Sequence, residues 1–325
     1  MEKTAKISIA ALKPSRADVR KSAHRQGEWR RDFRRNGSLY LLMTPIILFY
    51  VIFCYKPMYG ALIAFQDFAP RLGFLQSPWV GLTHFKSLFS SPDFTRILRN
   101  TLTISLTSIV CGFPMPIILA LLLNEMRSQR LKKVVQTASY MPHFISLVVI
   151  CGMVKAFVSD SGFIGVWMGN LTGAPQNLLL NAKNFLPIHV TSGIWQTVGW
   201  DSIIYLASLS AIDVDQYEAA DIDGAGRMRK LFYITLPGIV PTIITMLILR
   251  SGHIMSVGFE KIILLYNPLI YEKADVITSY VYRQGFTTQN WSYSSAVGLF
   301  NSVINLLLLV FTNTLSKRYS ETSLW

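Results

Sequence analysis

Asp201, Arg250 and His253 stand within long apolar stretches of the chain. An ionised group placed there costs roughly 2.5–3.5 kcal/mol on insertion scales, so each needs a reason to be present. Asp201 comes about 14 residues into one apolar run and Arg250 about 13 residues into the next, which runs the opposite way. At ~1.5 Å per residue both fall ~20 Å from the surface where their run begins, close to mid-membrane. Two chemistries are open. The carboxylate and guanidinium can pair as structural glue, or they can line a water-filled path in which Arg250 or His253 meets a polar solute. Trp195, Trp200 and Tyr205 share a run with Asp201. Their rings can stack on a solute, or mark a membrane interface.

A second concentration of charge, Glu218, Asp221 and Asp223 in "EAADIDG", has no histidine nearby. In an aqueous loop these carboxylates gain no desolvation to tune them for proton transfer, so helix capping accounts for them better than catalysis. No catalytic or metal site is expected. The chain contains no Gly-Lys dipeptide, hence no G-x-x-x-x-G-K-[ST] phosphate loop, and no H-E-x-x-H. Cys54, Cys111 and Cys151 all fall in apolar runs as small buried hydrophobes.

The elements that position these groups are membrane helices. Of 325 residues, 51% are hydrophobic and only 15% charged, with mean hydropathy +0.36, well beyond a soluble domain. A spanning helix needs about 20 apolar residues, and six runs qualify: 39–58, 101–123, 138–158, 187–212, 237–258 and 294–315. The first is read as retained, because the polar arm before it is too long for a signal peptide. The net charge of +13 is placed against nucleic acid binding. It gathers in the arm before the first run, in Arg127–Lys133, in Arg227–Lys230 and in Lys317–Arg318. A six-span chain puts all of these on one side, which the positive-inside rule makes cytoplasmic, with both termini inside. Lys56, Lys155 and Glu260 lie near run ends and can snorkel to the headgroups. In "EWRRDFRRN", Trp29 and Phe33 suit a short helix on anionic lipid, and a basic arm without structure is the alternative.

Between the first two runs, Phe85, Leu88 and Phe89 recur at helical spacing and predict a surface-lying helix. Ser91-Pro92-Asp93 predicts a capped start to the helix that leads into the second run. Gly112, Pro114 and Pro116 in "GFPMP" predict a break in it. His143, after Pro142, falls just inside the third run, where a lone histidine more often bonds a helix end than a ligand. In the loop after the fourth run a short helix is expected to start at Asp215 and end at Gly224, which supplies a left-handed position. A second short helix through "AGRMRKLFYI" follows, and Pro237 opens the fifth span. The expected object is a cytoplasmic helix–turn–helix whose small residues, Ala219, Ala220, Gly224 and Ala225, allow close approach by another surface. The chain divides into a basic arm (1–36), one six-span unit (37–320, with the loop at 213–237) and a short tail (321–325).

"EAADIDGAGRMRKLFYITLP" carries E-A-A, three residues, G, nine residues, I-x-L-P. It resembles the cytoplasmic coupling motif of permease subunits in binding-protein-dependent ABC importers. "WVGLTHFKSLFSSPDFTRILRNTL", "VVQTASYMPHFISLVV", "SVGFEKIILLYNP", "TSYVYRQG" and "YSSAVGLFNSVINLLLL" extend the resemblance over most of the chain, toward permeases for oligosaccharides of the alginate or pectin type. The resemblance implies an all-α fold of six transmembrane helices, the type I importer permease, in the bacterial cytoplasmic membrane. It also implies a second homologous permease, two ATPase subunits that hold ATP and Mg, an extracytoplasmic solute-binding protein and no cofactor in this chain. Glu218, Ala219, Ala220, Gly224, Ile234, Leu236 and Pro237 become its ATPase-coupling residues. Asp201, Arg250, His253, Trp195, Trp200 and Tyr205 become candidates for contact with an acidic or hydroxyl-rich sugar. A self-sufficient secondary transporter and an intramembrane enzyme are the alternatives. The first lacks visible inverted repeats, the second a nucleophile–base or metal motif.

Overall fold

A computed structural model describes residues 32, 35–174 and 176–320. Asp32 apart, the Trp29–Phe33 stretch and the tail lie outside the described residues. Among the latter the structure is helical, with one isolated antiparallel bridge between Gln66 and Trp79. The chain forms two compact units, Met1–Ala61 and Leu62–Trp325.

In the first unit, helix α1 (Gly37–Phe49) passes into a π-helical stretch, Tyr50–Tyr55, just before Pro57. A widened turn absorbs the hydrogen bond that a proline cannot donate.

The second unit begins with a loop and α2 (Thr83–Ser90). The expected surface helix is instead docked: Leu88 is fully buried with Ile97, Met255 and Ile277, and Phe89 meets the Phe300 ring edge-on at 5.6 Å. Helix α3 (Pro92–Gly112) starts as predicted, with Ser91 Oγ accepting from Asp93 N–H at 3.3 Å and Pro92 in its first turn. It breaks at Phe113, and α4 (Pro114–Glu125) continues from there. Two prolines within three residues remove two donors, so a straight ladder cannot form.

The third span differs from its expected bounds. Residues 138–140 end a separate helix, α5 (Gln129–Tyr140), because Pro142 tightens the chain into a 3₁₀ turn, Met141–Phe144. Ser146 then caps α6 (Leu147–Val158), which is followed after a short break by α7 (Phe163–Thr172). His143 is therefore outside the span. Its ring stacks flat on the Trp200 indole, centroids 4.5 Å apart.

Helix α8 (Ala182–Ser210) is the longest of the central helices at 29 residues, about 43 Å. Five described segments are both long and apolar enough to cross a membrane: Gly37–Phe65, Pro92–Glu125, Leu147–Leu171, Arg227–Ser251 and Trp291–Arg318. The predicted fourth run is not among them. Its helix forms at full length but with too many polar residues. Its buried residues, from Phe185 and His189 through Gly199 and Ser202 to Leu209, run along its whole length, and it packs on α3, α4 and α5. A helix with one side packed on other helices along its whole length has no need to be apolar on that side. Gly199 makes one such approach possible, since a Cβ there would lie 2.1 Å from the Ser139 carbonyl oxygen.

Next come α9 (Val214–Ile222) and α10 (Arg227–Ser251), the latter continuous through a π-helical stretch at Leu231–Thr235. The predicted opening of the fifth span at Pro237 is thus corrected. The helix already runs from Arg227, and the widened turn just ahead of Pro237 accommodates the proline within it. It ends at Ser251 rather than 258, leaving Arg250 in its last turn. After the turn 252–257 come α11 (Phe259–Leu265), α12 (Ile277–Tyr282) and α13 (Trp291–Ser320).

Lipid gives apolar side chains little reason to leave it, so polar bonds and close packing hold such helices together. Asn100 Nδ2 donates to the carbonyls of Glu272 and Asp275 at 2.9 and 3.0 Å, and Thr101 Oγ1 accepts from Ile277 N–H at 3.0 Å. Asp275 is fully buried. Arg283 holds it with two nitrogens, at 3.1 and 2.6 Å, while Ser279 Oγ donates at 2.8 Å. Burial works against the Arg283 charge, but the Asp275 carboxylate outweighs it and keeps the guanidinium above its ordinary range.

Candidate functional site

A cavity of about 720 Å³ opens among α3, α6, α8, the end of α10 and the start of α11. Helix α8 gives it a stripe at helical spacing, from His189 and Gly193 through Thr197 to Asp201. Helix α3 adds Ser105, Ser108 and Gly112, and α10 adds Arg250. The turn 252–257 brings His253 and Ser256. That turn is fastened on two sides, by Ser105 Oγ donating to the Ile254 carbonyl and by Asn305 Oδ1 accepting from Met255 N–H at 2.9 Å.

Of the six path candidates, the structure brings three together at this cavity: Asp201, Arg250 and His253. Among the described residues Asp201 and Arg250 form no ion pair within 4.0 Å. The other three do not line it. Trp195 is exposed off the lining stripe, Trp200 is turned to His143 and Phe144, and Tyr205 is buried with Ala120, Leu209 and Ile239. Sequence reasoning missed Lys261 and His189. Lys261 lines the cavity, is 7% exposed, and donates from Nζ to the His189 carbonyl at 3.0 Å. Burial pulls its ammonium down to about 8. The one available signal was a lysine set among apolar residues in "FEKIILL".

The second feature is the elbow between α8 and α10. Asp213, two residues before the expected Asp215, caps α9, its Oδ1 accepting from Asp215 N–H at 3.0 Å. At the other end Gly224 has φ +70°, Ala225 N–H reaches the Ala220 carbonyl at 2.8 Å, and Gly224 N–H reaches Asp221 at 3.1 Å. This pair of bonds closes the helix end as a Schellman motif. Lys230 pairs with Asp221, and the Tyr217 and Thr235 hydroxyls meet at 3.0 Å, so α9 is tied back to the start of α10. Glu218 and Ala219 remain exposed, as do the apolar Val214, Ile222 and Tyr233. Ala220 and Ile234 line a hollow of about 360 Å³. Leu236 packs into the Ala120–Tyr205–Ile239 cluster, and Pro237 is exposed inside the continuous helix.

A bundle of membrane helices with charged side chains around an internal cavity, and an exposed elbow capped at both ends, has the parts of a transport component. Residues 112–321 match the binding-protein-dependent transport system inner membrane components, and the chain belongs to that family. It is 44% identical over 298 residues to Protein LplB of Bacillus subtilis (strain 168), covering 91% of this chain and 94% of that one. It is 42% identical to the polygalacturonan/rhamnogalacturonan transport system permease protein YteP of the same organism, covering 88% and 90%. Among solved structures, a bacterial ABC transporter involved in import of the acidic polysaccharide alginate matches with TM-score 0.83 and 42% identity, over 90% of this chain and 99% of that chain. The same likeness holds for the alginate transporter in complex with a periplasmic protein bound to alginate pentasaccharide. This chain is accordingly a non-catalytic, membrane-spanning permease subunit of a binding-protein-dependent ABC importer.

Proposed function

We propose that this permease forms half of the membrane pathway of an ATP-driven importer for acidic oligosaccharides. A second homologous permease supplies the other half, and the sugar arrives on an extracytoplasmic binding protein. Two ATPase subunits, which carry ATP and its Mg, engage the elbow from the cytoplasm. In this reading α8 is the fourth of six spans and both chain ends are cytoplasmic, in keeping with the basic residues at 127–133, 227–230 and 317–318. The pectin-type and alginate-type names of the relatives support the acidic cargo.

The observation that carries the reading is the elbow, capped at both ends and tied to α10, yet exposed in a chain with no nucleotide-binding motif of its own. Its second arm is the first turn of a 25-residue helix, about 37 Å long, whose far end holds Arg250 at the cavity wall. A displacement imposed on Glu218, Ala219, Ala220 and Gly224 by closure of the ATPases travels along one rigid element, past Ile234, Leu236 and Pro237, to the cavity. Closure thereby alternates the side from which Asp201, Arg250 and His253 are reached.

A single cysteine at Ala219 in a cysteine-free chain tests this. It is expected to cross-link to the ATPase subunit in membrane vesicles and to react with an impermeant thiol reagent from the cytoplasmic side alone. Labelling from outside, or sugar accumulation in vesicles holding only this polypeptide, refutes the assignment.

A further inference from the structure

Lys261 is a cation kept where cations are costly. Its side chain is buried, and among the described residues no carboxylate lies within the 4.0 Å of an ion pair. The His189 carbonyl, at 3.0 Å, satisfies one of its three N–H donors. A buried ammonium normally has a counter-charge, because the protein interior does not replace its hydration. The neighbouring helix is shaped to receive it: a Cβ on Gly193 would lie 3.2 Å from Nζ, so any larger residue there crowds the ammonium.

The group is at the wall of the 720 Å³ cavity, a volume within the range of ligand pockets. Arg250 lines the same cavity and has no ion-pair partner among the described residues. Asp201 and Glu260 are there too, and neither pairs with either cation. The buried His189 ring, nine-tenths shielded, leaves Nδ1 without a partner. A structural ion network would have closed these pairs on one another, as Asp275 and Arg283 do. Unspent charges of both signs around a cavity instead fit a ligand that brings carboxylates and hydroxyls of its own.

We infer that Lys261 and Arg250 form a carboxylate-binding subsite in the cavity, which grips the acid group of a uronic-acid unit as it passes through the membrane. Arg250 offers a planar fork that matches a carboxylate, and Lys261 a point charge. Asp201 and Glu260 accept from sugar hydroxyls, and their negative charge keeps the grip weak enough for release. The inference rests on the reading of the chain as an acidic-oligosaccharide importer, and it goes further by naming what distinguishes acid from neutral cargo.

The test uses the complete transporter in cells and compares uptake of a free-acid oligogalacturonide with its methyl ester of the same length. Lys261→Met and Arg250→Gln are each expected to lower the acid-to-ester uptake ratio about tenfold or more, the loss of one charge-assisted bond. Lys261→Arg is expected to keep most of the ratio. A ratio unchanged from wild type in Lys261→Met and Arg250→Gln, whether total uptake holds or falls, overturns the subsite. If Lys261→Met does not accumulate in the membrane, the exposed Arg250→Gln decides by the same criterion. A wild-type transporter that takes up neither sugar overturns the importer reading as well, which a changed or unchanged ratio does not.

Discussion

Replacing Gly224 by alanine isolates the contribution of the elbow. The φ of +70° lies in the left-handed region, and nothing lies within 4 Å of the position a Cβ would take. The cost is therefore conformational, about 1–2 kcal/mol for an L-residue held there. If the backbone unwinds to escape that strain, it forfeits the Ala225–Ala220 and Gly224–Asp221 bonds, each worth about 0.5–1.5 kcal/mol. Either route lowers the ratio of ordered to disordered elbow roughly fivefold or more. Gly173 provides the control. It ends α7 with φ +93°, and it too has nothing within 4 Å of a Cβ. Gly173→Ala therefore carries a similar strain at a site remote from the proposed docking surface. Binding of the ATPase subunit to the detergent-solubilised permease, followed by titration, should weaken about fivefold or more for Gly224→Ala and stay near wild type for Gly173→Ala. Thermal unfolding should show a comparable small loss for both. Equal ATPase affinity in the two variants would refute the claim that the order of the elbow is what the ATPase reads.

Asp213→Ala should destabilise the elbow by about 1 kcal/mol and Asp215→Ala by less, because Asp213 supplies the cap; hydrogen exchange of the α9 amides distinguishes them. Gly199→Ala drives a methyl into the Ser139 backbone and is expected to cost about 1–3 kcal/mol in thermal unfolding. Gly152→Ala, with open space around it, serves as its neutral comparison. Asp275→Leu leaves the Arg283 guanidinium half-buried and unpaired, with an expected loss of about 3–5 kcal/mol. Adding Arg283→Met should recover most of that loss, and its failure to do so in a chemical-denaturation series would show that the pair is not the source.

The features legible in the sequence were those governed by local chemistry. Ser91-Pro92 capped a helix where expected, "GFPMP" broke one, and Gly224 took up its left-handed turn. Errors arose where two local rules competed. Pro237 was read as opening a span and Pro142 as lying inside one, yet a π-helical turn lets the first lie within a helix, while the second closes one early. Helix α8 forms where the fourth run was read, but its polarity makes sense only beside its neighbours, because burial among helices is a tertiary property. The site divides in the same way. Asp201, Arg250 and His253 stood out as charges in apolar sequence and do meet at one cavity. Lys261 was not singled out, and only the arrival of α8 with Gly193 and the His189 carbonyl makes it a buried cation.

The polarity of α8 also bears on how the molecule is made. A segment carrying Asp201, His189 and several hydroxyls partitions poorly into bilayer by itself during synthesis. Its integration then depends on company: α3 and α4, already laid down, provide part of its sheath, and α10 has yet to leave the ribosome when α8 emerges. A helix encoded in the middle of the chain thus gains its full set of neighbours only once the helix after it has been made.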